Sequence, residues 1–422
     1  MTCLKRPLFP SALTSLVTSK YLLLVIMSVL FLASLPNSIF ANRAVASSRQ
    51  QPGCSGSYAP ATKLADGVVL SSDLIQMPTG PEYVNLLDID VTKPNVRLGI
   101  VLAHNRLISS DETVTSMATR SNALAGINGD FYEIYGPGRP IGMLMMNGKL
   151  MQSPTIFSVL GITSTQQLTF GFESFSGNVI RGPASHILKA INHFVEINEE
   201  KLVLLTPDLG APVSLRGDTV VALLHPLVDS ADDFRVISVQ TNVSQLPALS
   251  GQYALASTGA GGAWITANLH PGDSVSITSQ FSDDSQLNQA IGGGPVVVKD
   301  GAYYYDPYPP APVERYQLDA LTAVSVTKDS THVCFFTFDG GRADPFNSVG
   351  LTHAQAAQYL LAHGAYQAIL LDSGGSTEMV ARLPHQHSVS VINWPSDGFE
   401  RAVANGLFVY SVPVNKPLPA IR

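Results

Sequence analysis

The residues best placed to do chemistry are Asp372-Ser373-Gly374-Gly375-Ser376-Thr377-Glu378, which begin at the last residue of the apolar run YQAILLD (366–372). An apolar strand there delivers a carboxylate, and the glycines after it let the backbone approach a ligand. Successive N–H groups in such a turn can form an anion-binding nest. The same residues also fit an ordinary strand-to-loop turn closed by a buried Asp. No Lys follows the glycines, so the motif is not a nucleotide-binding phosphate loop. Asn128-Gly129-Asp130-Phe131-Tyr132 forms a second constellation. Its amide and carboxylate suit hydroxyls, an acetamido group or a cation; an Asn-Gly hairpin turn is the plainer reading. Ile291-Gly292-Gly293-Gly294-Pro295 either cradles a phosphate or permits tight packing. In the run from Asn393 to Arg401 (NWPSDGFER), Arg401 fits a bidentate clamp on phosphate or carboxylate, or a structural ion pair with Glu400. Asp339-Gly340-Gly341-Arg342 adds another acid and another base. Histidines point to little: His385 and His387 flank a single residue, His353 and His363 fall at opposite ends of a helix, and no HExxH run occurs.

These residues need a scaffold, and the C-terminal third supplies the clearest one. VCFFTFDG (333–340) reads as a strand ending at Asp339. LTHAQAAQYLLAHG follows as a helix, with Thr352 as N-cap and Gly364 as the stop. YQAILLD is then a second strand, ending at Asp372. This βαβ unit implies a right-handed crossover and two parallel strands. Asp339 and Asp372 therefore point to one sheet edge, the edge at which open α/β sheets bind ligands. Upstream, VNLLDIDV and VRLGIVLA read as strands, and a short helix is expected over Glu112–Ala123, before ALAGINGDFY. Residues 155–290 read as a long series of short strands without a fixed repeat. The expected class is α+β: β-rich mixed sheets with a C-terminal βαβ segment, in a single large domain over 63–412 with 155–290 as its β-rich middle part.

Composition narrows the function classes. The 422 residues are 45% hydrophobic and 14% charged, which excludes disorder. Acids outnumber bases, 32 to 25, so a nucleic-acid partner is not expected. Lys5, Arg6 and Lys20 precede the apolar run Tyr21–Leu35, and Ala44-Val45-Ala46 offers a cleavage site. That is the pattern of a secretory signal over 1–46, followed by a polar linker over 47–62. A membrane contact would arise only through an uncleaved signal. Cleavage after Ala46 removes Lys5, Arg6, Lys20 and Arg43 and no acid, so the formal charge goes from -7 to -11. Cys54 and Cys334 would remain; they either pair in an oxidising compartment or, for Cys334 in the apolar run HVCFFTF, lie unpaired in the core.

Taken together and in order, the motifs resemble the phosphodiester glycosidase family. The resemblance rests on INGDFY (127–132), MNGKL (146–150), IGGGPVVVKDG (291–301), FDGGR (338–342), GLTHAQAAQYLLAHGAYQAILLDSGGST (350–377) and NWPSDGFERAVANGLFVY (393–410). It implies a secreted, periplasmic or extracellular hydrolase that cleaves a sugar-1-phosphodiester, N-acetylglucosamine-like, releasing the sugar and leaving a phosphomonoester. Carried over by residue, it implies Asp372, Asp130 and Glu400 as catalytic acids. Asn128, Arg401, Asp339, Arg342, Gly293, Gly294, Gly374, Gly375 and Asn393 would bind substrate, a carbohydrate phosphodiester or cell-wall glycan. Two acids are the usual glycosidase solution, and Arg and backbone N–H groups would stabilise the charged leaving group. Calcium is the one cofactor that the loop carboxylates suggest, with no ligands assigned. Three positions depart from the family pattern. Leu321 stands where Arg is usual, Ser373 replaces a Gly after Asp372, and Asp339-Gly340-Gly341-Arg342 carries an extra Gly. These keep open a catalytically altered or inactive glycan-binding protein on the same fold.

Overall fold

In the computed structural model, residues 53–413 are described, apart from 137, 194–200, 229, 231, 282–286 and 307–313. The expected signal segment and the first part of the linker lie outside the described residues. Within them, alternating and continuous apolar runs form strands gathered into four sheets. The α+β, β-rich class is borne out. No helix among the described residues is long and apolar enough to cross a membrane.

The sheet that carries the βαβ unit has eight strands, in the order Thr62–Ala65, Val68–Met77, Gly80–Asp90, His332–Phe338, Leu321–Val326, Gln367–Leu370, Val296–Lys299, Ala302–Tyr303. His332–Phe338 and Gln367–Leu370 are parallel to one another, but they are not neighbours. Leu321–Val326 lies between them and pairs antiparallel with both, Leu321 opposite Phe338 and Ala323 opposite Leu370. The connecting helix His353–Ala362 starts at a complete capping box, with Thr352 and Gln355 each bonding the other's backbone. The two faces of Leu321–Val326 alternate, as a pleated strand requires. Leu321 and Ala323 face the apolar layer that includes Ala356, Ala357 and Leu360 of that helix. Val324 and Val326 face a second layer shared with Ile127 and Leu407.

Ile127 and Leu407 belong to a five-stranded sheet, Ser390–Val391, Met379–Ala381, Ala125–Asn128, Asn405–Ser411, Val96–Leu102. This sheet brings the C-terminal end of Ala125–Asn128 close to the rim of the larger one. Helix Val114–Ser121, capped by Thr113, covers part of it and is shorter than the expected 112–123. Another five-stranded sheet holds Lys149–Gln152, Leu144–Met146, Leu287–Gly293, Ser158–Thr163 and Leu168–Phe172.

The fourth sheet is a closed barrel built from strands between Phe175 and Phe281. Its strands fit the expected β-rich run. Its closure was not foreseen, nor was helix Gly259–Asn268 (GAGGAWITAN) within it. A Cβ on Gly261 would stand 2.1 Å from the Ser257 hydroxyl, and one on Gly262 would stand 2.9 Å from Val220. The glycines that argue against a helix by propensity are therefore what lets this one lie against the barrel wall. Cys54 and Cys334 form a disulfide across 280 residues of sequence.

Candidate active site

Two of the motifs are lashed together by backbone. The Asp372 N–H donates to the Gly129 carbonyl at 2.9 Å, and Asn128 Nδ2 donates to the Asp372 carbonyl at 2.7 Å. Asn128 is fully buried, and its Oδ1 accepts from the Thr322 hydroxyl at 2.7 Å and the Glu378 N–H at 3.1 Å. Its amide thus joins both sheets. Thr322 reaches it because even-numbered residues of Leu321–Val326 face that way. Asn128 acts here as a brace between the two sheets.

Asp130 and Asp372 are brought together at this junction. Asp130 is buried; its Oδ2 accepts the Gly142 N–H at 2.8 Å, while Oδ1 has no hydrogen-bond partner. Glycine is required around it: a Cβ on Gly292 would lie 2.6 Å from Asp130 Oδ1, and one on Gly142 would lie 2.8 Å from Oδ2. Burial pushes the Asp130 carboxyl up to about 8. The Gly142 hydrogen bond opposes this, and the neighbouring Asp372 charge reinforces it. Asp372 is partly exposed and accepts the Ser373 N–H at 2.9 Å through Oδ1. Burial also raises it, but only to about 6, because Ser376, the Ser373 N–H and Arg401 favour its ionised form; Asp319 works against them. Near neutral pH Asp130 holds its proton and Asp372 is mostly ionised. Carboxyls pushed apart in this way are suited to separate acid and base roles.

Arg401 lies against Gly375, where a Cβ would meet its Nη2 at 1.9 Å. Its Nε donates to Asp397 Oδ2 at 2.8 Å and its Nη2 stands 2.7 Å from the same oxygen. Nη1 reaches the Ser376 hydroxyl at 3.4 Å. The ion pair of Arg401 is therefore with Asp397, not Glu400. Glu400 turns to the helix Val114–Ser121, accepting the Thr115 N–H at 2.7 Å, and pairs with buried Glu378. Burial, reinforced by the Glu400 carboxylate, pushes Glu378 up to about 10, so Glu378 holds its proton near neutral pH.

Asp339 is not gathered with Asp130 and Asp372. It is fully buried, accepts the Trp394 N–H at 3.4 Å and lies with Glu82 and Asp344. Arg342 is exposed in left-handed backbone. Asn393 is buried and braces the turn, accepting the Met379 N–H at 2.8 Å and donating to the Thr377 carbonyl at 3.0 Å. Gly374 lies beside Asp319, Gly293 packs on Leu371, and Gly294 precedes Pro295. Sequence reasoning passed over Tyr132, Ser376 and Glu378 as site residues. All three lie inside motifs it had singled out, so the signal was present in their two-residue spacing from Asp130, Gly374 and Ser376. Among the described residues, the one group of three metal-ligand side chains with atoms within 4.8 Å is Cys54, Asp88 and Cys334, and its two sulfurs are joined to each other.

Carboxyls, a guanidinium and glycine turns thus meet at one sheet rim. Residues 233–410 match the phosphodiester glycosidase family, so the resemblance drawn from the motifs holds over that segment. It contains Asp372, Arg401 and Arg342; INGDFY and MNGKL precede it. This supports a hydrolase of the phosphodiester glycosidase type. A protein from Synechocystis shares the fold, with TM-score 0.71 and 17% identity over 84% of this chain; the chain spans 64% of that protein's length. A candidate exported protein from Burkholderia pseudomallei overlays with TM-score 0.62 and 21% identity, over 79% of this chain and 75% of that one. The catalytic domain of zebrafish N-acetylglucosamine-1-phosphodiester α-N-acetylglucosaminidase, auto-inhibited by its pro-peptide, overlays at 0.40 with 13% identity, over 85% of this chain and 86% of that one, a likeness too loose to carry weight. No curated protein matches the chain.

Proposed function

We propose that the chain is an exported hydrolase that cleaves a sugar-1-phosphodiester, N-acetylglucosamine-like, to the free sugar and a phosphomonoester. The observation that carries this reading is the Asp130–Asp372 pair, brought together by the bonds of Asp372 to Gly129 and Asn128, with burial raising both carboxyls. Asp372, the more exposed, serves as nucleophile or as base for water at the anomeric carbon. The bond from that carbon to oxygen breaks, its electron pair leaves on the phosphomonoester, and water supplies the new hydroxyl. Asp130 supplies a proton or a hydrogen bond nearby. Arg401 and the N–H groups of the 374–376 turn favour the charge that develops on phosphate. Export is supported by the N-terminal pattern, by the disulfide and by the candidate exported protein of similar fold. The test is release of sugar from a panel of N-acetylhexosamine 1-phosphodiesters. Turnover is expected in the wild type and lost in Asp372→Ala; turnover unchanged in that variant refutes the role of Asp372.

A specific observation favours a second reading, a glycan-binding protein without turnover. Leu321, where the family usually has Arg, is buried in an apolar layer, and Arg401 is already engaged by Asp397. Glycan binding with no turnover across the whole panel would decide for it.

A further inference from the structure

Asp130 is held at the site by a folded-back arm of chain. The Ile141 N–H donates to the Phe131 carbonyl at 2.8 Å and the Glu133 N–H to the Arg139 carbonyl at 3.0 Å, which lays 139–142 alongside 131–133. That pairing delivers the Gly142 N–H to Asp130 Oδ2 at 2.8 Å and leaves Oδ1 without a hydrogen-bond partner. The opposite edge of the arm is held by one fully buried side chain. Gln152, the last residue of Lys149–Gln152, donates from Nε2 to the Pro140 carbonyl at 2.7 Å and the Gly142 carbonyl at 2.6 Å. Its Oε1 accepts from Arg139 Nη1 at 2.9 Å. Carbonyls only accept and a guanidinium only donates, so the amide has one possible orientation.

Arg139 is pinned in turn. Its Nη2 donates to Glu133 Oε1 at 2.7 Å, and its Nη1 also lies 3.1 Å from His193 Nδ1. His193 Nε2 lies 2.7 Å from the Ser153 carbonyl, so that nitrogen carries the ring proton and Nδ1 is the acceptor. Burial lowers His193 to about 4, which keeps the ring neutral. Arg139, Gln152 and His193 are all buried, so bulk water does not replace these bonds. His193 follows the barrel strand Ala184–Ile191, so the contacts run unbroken from the barrel to Asp130.

We propose that Arg139 and Gln152 are positioning residues that aim the Asp130 carboxyl by fixing the 140–142 backbone from which the Gly142 N–H comes. The charges acting on Asp130 are Asp372 and Arg139 itself. The inference rests on Asp130 belonging to the reacting pair, yet it can be read without turnover.

The experiment is carbon NMR of the aspartate carboxyls against pH, with Asp130 and Asp372 assigned through Asp130→Asn and Asp372→Asn, alongside kcat and KM on the sugar phosphodiester panel. Gln152→Met fills a similar length without a donor, so the Gly142 N–H should loosen on Asp130 Oδ2. A weaker bond to the ionised form should raise the Asp130 midpoint by about half a pH unit, roughly a threefold change in proton affinity. The Asp372 midpoint should stay in place. Turnover should fall about tenfold in kcat with KM within about twofold. Arg139→Lys keeps the positive charge but loses the planar fork that bonds Gln152, Glu133 and His193 together, so a rise there reports geometry rather than charge. It carries the test if Gln152→Met does not fold. An Asp130 midpoint that stays put or falls in either folded variant overturns the proposal. So does a joint shift of Asp130 and Asp372, as general loosening would produce, or a kcat equal to that of an active wild type. A rise at Asp130 alone without turnover by the wild type upholds the proposal and removes the hydrolase reading. Turnover with an unmoved Asp130 midpoint does the reverse.

Discussion

Asp372 and Asp339 end parallel strands on either side of Leu321–Val326, yet their surroundings differ in kind. Asp372 is partly exposed and has Ser376, Arg401 and a backbone N–H to favour its ionised form. Asp339 is sealed in with Glu82 and Asp344, and the neighbouring acids add to burial in raising both Glu82 and Asp339. Glu82 Oε1 and Asp339 Oδ2 have no hydrogen-bond partner. Burial raises Glu82 to about 9 and Asp339 to about 8, so both carry protons near neutrality. Position at a strand end thus places a carboxylate at the rim, while neighbours decide whether it can react.

The sharpest way to break this contrast is to neutralise each acid in turn. Asp372→Asn should lower kcat/KM on a sugar-1-phosphodiester by about a thousandfold with the fold intact, the scale of a lost acid–base group. Asp339→Asn should leave kcat/KM within about threefold, since the side chain keeps its acceptor for the Trp394 N–H. Equal losses in the two variants would show that the closed group belongs to the chemistry after all. A milder disturbance is Gly375→Ala. Its methyl would overlap Arg401 Nη2, so the guanidinium must leave Ser376. A displacement of that size near the reacting carboxyl should cost up to about a hundredfold in kcat/KM. Circular dichroism separates this from unfolding, and unchanged kinetics would free Arg401 of any role.

The sequence carried this contrast only in part. Thr352, Gln355 and Gly364 made the helix legible, because caps act within a few residues. Two parallel strands ending in acids followed from the βαβ rule, which is also local. What the rule did not reveal is that Leu321–Val326 would be inserted between them, since strand order depends on pairing between distant segments. That strand stands between the ends that carry Asp339 and Asp372. Asp130 was legible as a candidate from INGDFY, but its partnership with Asp372 comes from Asn128 bridging residues 244 apart. Arg401 was legible and its partner was not: Glu400 is adjacent in sequence, whereas Asp397, one helical-like turn earlier, faces the same way. The buried company of Asp339 had no signature, because Glu82 lies on a strand far upstream and reads there as an ordinary polar residue.

The smallest expected effect tests the closed group by itself. Glu82 is fully buried, and its Oε2 accepts the Gly350 N–H at 3.0 Å. Its folded pKa, about 9, lies above the unfolded value near 4.5. The stabilisation linked to its proton is therefore complete below about pH 4.5 and is lost as pH rises through about 9. Glu82→Gln keeps an acceptor for Gly350 and cannot lose a proton, so it should remove that slope. The variant should match wild type near pH 4.5 and exceed it by on the order of 2 kcal/mol at pH 8, a few degrees in Tm. Thermal unfolding across that pH range measures it. A wild type that is equally stable at both ends, or a variant less stable at pH 8, would mean that Glu82 is ionised in the fold and that a counter-charge satisfies it. The distinction between an open, ion-supported carboxyl pair and a closed, proton-holding group would then fail at its closed end, while leaving Asp372 and Ser376 where the first substitutions test them.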